Sequence, residues 1–171
     1  MKLHLGCGHT KLPGYVGIDM VNHSCVDKVH DLREGLPYPD GVVTHIEATH
    51  VLEHLPDPVQ IMNEIWRVCR HGAKVHIIVP STDGRGAFQD PTHLKGSYYN
   101  LNSFFYYGKC MDKSQKEMYG RWYSKSPDWT HFKGLFIIRK IRNKKARYGV
   151  INVEVHMDAH KGEKPCSAKG K

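Results

Sequence analysis

The sequence predicts an α/β fold: a mostly parallel, Rossmann-like sheet that closes on an antiparallel hairpin. Three observations carry this reading. Short β-prone runs alternate with loop or helix signals through the first 80 residues, the rhythm of parallel strands joined by crossovers. The first run, Lys2–Leu5, passes directly into Gly6-Cys7-Gly8, a strand-to-loop junction stripped of side chains. Near the other end, Phe132–Ile141 and Tyr148–Met157 are β-prone and joined by a short basic turn, Arg142–Arg147. At 171 residues the chain is read as a single domain over 1–171 with one core. No apolar run approaches the roughly 18–20 residues a membrane span needs, and the N-terminus lacks the apolar stretch of a secretion signal. Five dispersed cysteines without a C-x-x-C pair read as reduced thiols, so a cytoplasmic protein is expected.

The elements follow in order. Gly14–Asp19 reads as the second strand and leaves little room for a helix after the first; Cys25–Asp31 is the third. Leu36-Pro37-Tyr38-Pro39-Asp40-Gly41 is a loop by its prolines and glycine, and Val42–Ala48 the fourth strand. Asp57 before Pro58 is an N-cap with proline at the first helical position. Val59, Ile61, Met62, Ile65, Trp66 and Val68 then recur at helical spacing, and Arg70-His71-Gly72 reads as the stop. Lys74–Pro80 reads as a fifth strand, near-continuously apolar as in a parallel sheet. Residues 82–131 break the rhythm. They are rich in Tyr, Phe, Trp, Gly and Lys, with weak helical patterning at Leu101–Tyr107 and Lys113–Tyr119, and are expected to form a substrate lid inserted before the hairpin.

The chemistry starts at the glycine loop. Gly6 and Gly8 let backbone approach a ligand, and Asp19, at the end of the next strand, can accept hydrogen bonds from two ribose hydroxyls of an adenosine-containing cofactor. The third position of a dinucleotide fingerprint is Lys11, not glycine, which argues against NAD or FAD. A cofactor without phosphate tolerates a looser loop, as S-adenosylmethionine does.

Leu3-His4-Leu5-Gly6-Cys7-Gly8, followed by Pro13-Gly14-Tyr15-Val16-Gly17-Ile18-Asp19, strongly resembles the first motif of class I S-adenosylmethionine-dependent methyltransferases, and is most similar to the type 11 branch. Asp31-Leu32, Leu36-Pro37-Tyr38-Pro39-Asp40, His50-Val51-Leu52-Glu53-His54-Leu55, Arg67–Ala73 and Asp90-Pro91-Thr92-His93 resemble later segments of the same branch, in order, over residues 2–93. The resemblance implies strand order 3-2-1-4-5-7-6. It implies that Gly6, Cys7 and Gly8 line the methionine portion of S-adenosylmethionine and that Asp19 holds its ribose. Met20 would stack beside the adenine, with Asp31 facing the adenine amine, Leu32 offering a backbone amide and His50 near the sulfonium.

A general base is needed only if the acceptor must lose a proton early. His54, His93 and Asp90, with Glu53, are the candidates, each expected near a carboxyl end of a strand. Ala48-Thr49-His50-Val51 stands where enzymes that methylate base nitrogens carry (D/N)-P-P-(Y/F), which favours an oxygen of a small molecule or sugar-type substrate. His50-x-x-Glu53-His54 matches the inverted zinc-peptidase pattern, but Pro56 and Pro58 cut the helix that pattern needs, and no metal is expected. The net charge of +8 concentrates after residue 109, above all in Arg139–Arg147. The plainer reading is a solvated hairpin tip. The rival is a catalytically inactive module that binds nucleic acid or a glycan there, with Tyr98, Tyr99, Phe104–Tyr107, Trp122, Tyr123 and Trp129 as an aromatic platform.

Overall fold

The computed structural model describes residues 1–93, 98–110, 132–146 and 150–162. Among these, one sheet contains β1 (Lys2–Leu5), β2 (Val16–Asp19), β3 (Lys28–Val29), β4 (Val43–Thr49), β5 (Cys69–Pro80), β6 (Gly108–Cys110), β7 (Phe136–Lys145) and β8 (Ile151–Ala159). Their order is β3-β2-β1-β4-β5-β8-β7-β6. β1 to β5 run parallel, β8 is antiparallel to both β5 and β7, and the short β6 adds a parallel edge to β7. With β6 set aside, this is the Rossmann-like order 3-2-1-4-5-7-6 that the sequence implies. The expected lid region is described only over 82–93 and 98–110; Lys113–Tyr119, Trp122, Tyr123 and Trp129 lie outside the described residues.

Three local readings change. The helix α1 spans Pro58–Val68, and Arg70-His71-Gly72 is no helical stop but the start of β5. Cys69, fully buried, pairs with Val43 in the parallel ladder, so the sheet captures the chain before another helical turn can form. The basic turn of the hairpin begins later than expected, because Arg142–Lys145 still pair with β8, Arg142 opposite Glu154 and Lys145 opposite Ile151. Third, β5 is not apolar on both sides: from Ala73 its residues alternate between buried and accessible.

That alternation extends across the sheet and gives it two unlike faces. Leu3, Ile46, Val75 and Met157 share one registered row and are buried, with Leu5, Ala48, Ile77 and Val155 in the next. The opposite face carries the row His4, Glu47, His76 and His156. A parallel sheet normally buries both faces beneath helices. Here α1 is the one helix longer than a single turn among the described residues.

Asp57 caps α1, its carboxylate accepting the Val59 and Gln60 N–H groups at 2.9 and 2.8 Å. Ile61, Met62, Ile65 and Val68 form the buried stripe. Among the described residues of the segment expected to be a lid, Tyr99, Phe104, Phe105 and Tyr107 are buried; beyond it Phe132 meets Tyr107 edge-on at 5.3 Å and stacks on Phe136 at 5.8 Å between centroids. Leu101–Tyr107 contains only a 3₁₀ turn, Ser103–Tyr106. Among the described residues, no helix is long and apolar enough to cross a membrane.

Candidate active site

At the carboxyl ends of β1 and β2, Gly6 and Gly8 both take left-handed φ values, +57° and +51°. Gly6 has a second reason to be glycine. A Cβ there would lie 2.4 Å from Cγ2 of Val51, which packs down on the loop from the end of β4. The Gly8 N–H donates to Oδ2 of Asp19 at 2.8 Å, and the Val21 N–H donates to Oδ1 at 3.0 Å. The acid is thereby locked to the glycine loop, while each oxygen keeps a second lone pair for a ligand hydroxyl. Cys7 turns the other way, its side chain buried near Gly17, and burial pushes its thiol pKa up.

A cleft of about 280 Å³ opens above this loop, lined among others by Gly6, Asp19, Met20, Asp31, Leu32, His50 and Val51. Met20 is well exposed at its rim, and Leu32 is buried in its wall. Asp31 caps a 3₁₀ turn over Leu32–Glu34 and holds Arg33 in a bidentate ion pair, which keeps its carboxyl below the usual range. Cys7 and Gly8, in the same loop as Gly6, are outside this lining.

A second cavity, about 500 Å³, adjoins the cleft and shares His50 and His54 with it; Glu53, Asp90, Pro91 and His93 complete much of its wall. His50 is the one non-glycine residue with a left-handed φ, +55°, among the described residues. Its N–H bonds the Ile78 carbonyl at 2.8 Å, and its ring donates from Nδ1 to Oε1 of Glu53 at 3.1 Å. Asn152, reaching in from β8, lies 3.4 Å from the other ring nitrogen. Thr92 donates to Asp90 at 2.6 Å, and that bond, with the Thr92 N–H, depresses the Asp90 pKa. The same hydroxyl is 3.1 Å from Nδ1 of His54. His93 donates from Nδ1 to the Ala87 carbonyl at 3.0 Å, and its ring meets that of His54 edge-on at 5.0 Å. Two buried oxygens here have no hydrogen-bond partner among the described residues, Oε2 of Glu53 and Oδ1 of Asn152.

Residues 3–77 match the model of the type 11 methyltransferase domain. Over that stretch, less than half of its length, the chain resembles a methyltransferase domain. No curated protein matches it. Solved structures share the fold at low identity. 1,6-Didemethyltoxoflavin-N1-methyltransferase of Burkholderia thailandensis aligns over 93% of this chain and 70% of its own, at 12% identity and TM-score 0.57. The cyclase SpnF aligns over 94% and 74%, at 14% identity and TM-score 0.56. A methyltransferase of Archaeoglobus fulgidus aligns over 91% and 84%, at 13% identity and TM-score 0.51.

The sequence did not point to Val51, Arg33 or Asn152. Asn152 had a faint signal, a polar residue amid the apolar run Val150-Ile151-Asn152-Val153. The contact of Val51 with Gly6 had none, since no spacing rule joins residues 45 positions apart. On the basic hairpin, Arg139 and Arg142 are engaged by Asp158 and Glu154 of β8, and Arg147 lies outside the described residues.

Proposed function

We propose that this domain transfers a methyl group from S-adenosylmethionine to an oxygen of a small molecule or sugar. The observation that carries the reading is the shared wall: His50 and His54 border both the cleft above the glycine loop and the adjoining cavity. Gly6, Asp19, Met20, Asp31, Leu32 and His50 would hold the cofactor, which supplies an electrophilic methyl on a sulfonium. The unblocked Gly6 backbone and the spare lone pairs of Asp19 suit its adenosine and methionine parts.

The protein's own contribution is positioning, which can supply much of the barrier reduction in a transfer between two bound partners. The strained His50 backbone fixes the residue at the junction, and outliers of this kind cluster where function over-determines geometry. His93 and His54 each commit one ring nitrogen to a local acceptor, leaving the other lone pair for the acceptor's proton. Asp90, with its depressed pKa, is the weaker base and orients Thr92. Calorimetric titration with S-adenosylmethionine tests the reading, followed by assay of S-adenosylhomocysteine release against hydroxylated small molecules and sugars. Absence of binding at millimolar cofactor by a folded sample would refute it.

A further inference from the structure

We infer that Glu53, His54 and His93 form a divalent-cation site in the wall of the 500 Å³ cavity. Each offers a ligand atom, and these atoms lie within 4.8 Å of one another. On a tetrahedral ion with nitrogen and oxygen ligands at 2.0–2.2 Å, donors sit roughly 3.3 Å apart, so small side-chain rotations close the set. Three features favour an ion over a fortuitous cluster. Glu53 is only 2% exposed, yet its Oε2 has no partner among the described residues, a costly state for a carboxylate oxygen. His93 donates its Nδ1–H to the backbone carbonyl of Ala87, and His54 places Nδ1 against Thr92 Oγ1, which itself donates to Asp90. Such outer bonds are what fix a ligating imidazole, leaving the far nitrogen for the metal.

The donor set is two imidazoles and one carboxylate. It suits zinc, cobalt, nickel or ferrous iron better than magnesium or calcium. This is a different set from the His50-x-x-Glu53-His54 pattern: His50 lies against Glu53 Oε1 and Asn152 and orients the carboxylate. Three protein ligands leave a position open to the cavity, where a hydroxyl or water would bind and lose its proton more readily. With the ion bound, this activation replaces proton uptake by the free nitrogens of His54 and His93, which are then ligands. That use of the open position rests on the methyl-transfer reading; the cation site itself does not. A second triad, His76, Glu154 and His156, is a weaker candidate because Glu154 is already held by Arg142 and Lys144.

The test is titration of the full chain with Co²⁺ without cofactor, followed by its visible d–d bands. One equivalent should bind, and Glu53→Gln and His54→Asn should each weaken it by at least the ~10–100-fold that loss of an outer partner costs. His156→Asn should leave it unchanged. If Glu53→Gln does not fold, as circular dichroism would report, the more accessible His54→Asn decides alone. Failure to bind Co²⁺, equal binding by the His54 variant, or loss in His156→Asn would each overturn the site. Calorimetry with S-adenosylmethionine on the same samples separates this outcome from failure of the methyl-transfer reading.

Discussion

Gly6 and Gly8 look equivalent in sequence and share the left-handed backbone, but they differ in surroundings. A Cβ on Gly8 would meet nothing within 4 Å, whereas one on Gly6 would strike Val51. Left-handed backbone alone costs an L-residue roughly 1–2 kcal/mol. Gly8→Ala should therefore destabilise by about that amount, and Gly6→Ala by clearly more, as read from urea midpoints of the two variants. Equal losses would show that Val51 yields without cost. Asp19→Ala should weaken S-adenosylmethionine binding by roughly 1–3 kcal/mol, the cost of leaving hydroxyls unpaired; unchanged affinity in calorimetry would overturn its ribose role. The glycines and the acid were legible because residue type and strand position together restrict their chemistry. Val51 was not, since its role depends on where β4 delivers the chain.

The element scale shows where local signals hold and where the sheet overrides them. The start of α1 was legible because Asp57 and Pro58 act within one turn. Asp57→Ala should cost about 1 kcal/mol, and Ile65→Ala, deep in the stripe, about 2–5 kcal/mol, both measurable by chemical denaturation. The end of α1 was not legible. Arg70-His71-Gly72 has the composition of a helix stop, but the pairing of Cys69 with Val43 is a long-range event. The basic run of β7 misled for the same reason: its charges signal a turn until Asp158 and Glu154 are placed opposite them. In the last turn of α1, Arg67 anchors the loop that follows β3. Its guanidinium donates to Glu64, to Asp40 and to the carbonyls of Leu36 and Tyr38, while Glu64 accepts the Leu36 N–H. Arg67→Ala should destabilise by about 2 kcal/mol or more, because the Glu64 carboxylate and two carbonyls lose their donor.

For the whole molecule, the polar face of the sheet decides how stability responds to acid. Glu154 is almost buried on that face, and Arg142, first among its neighbours, with Lys144 and His76, holds its pKa down to about 2. A carboxylate depressed in the folded state contributes stability that is present above its ordinary value, about 4.3, and lost as pH falls toward 2. The two stacked imidazoles beside it, 4.2 Å apart, act in opposite directions. The Glu47 carboxylate raises the pKa of His76, whose contribution fades as pH rises above the ordinary histidine value. Burial, reinforced by His76, lowers that of His156, which removes stability as pH falls through that value. Their opposition leaves the acid limb to the carboxylates. Urea midpoints should accordingly fall steeply between about pH 4.3 and pH 2. Glu154→Gln should fall less steeply over that range while being less stable at pH 7, where it leaves Arg142 without its partner. Parallel curves for the two proteins would show that the Arg142–Glu154 pair on the polar face contributes nothing to the fold.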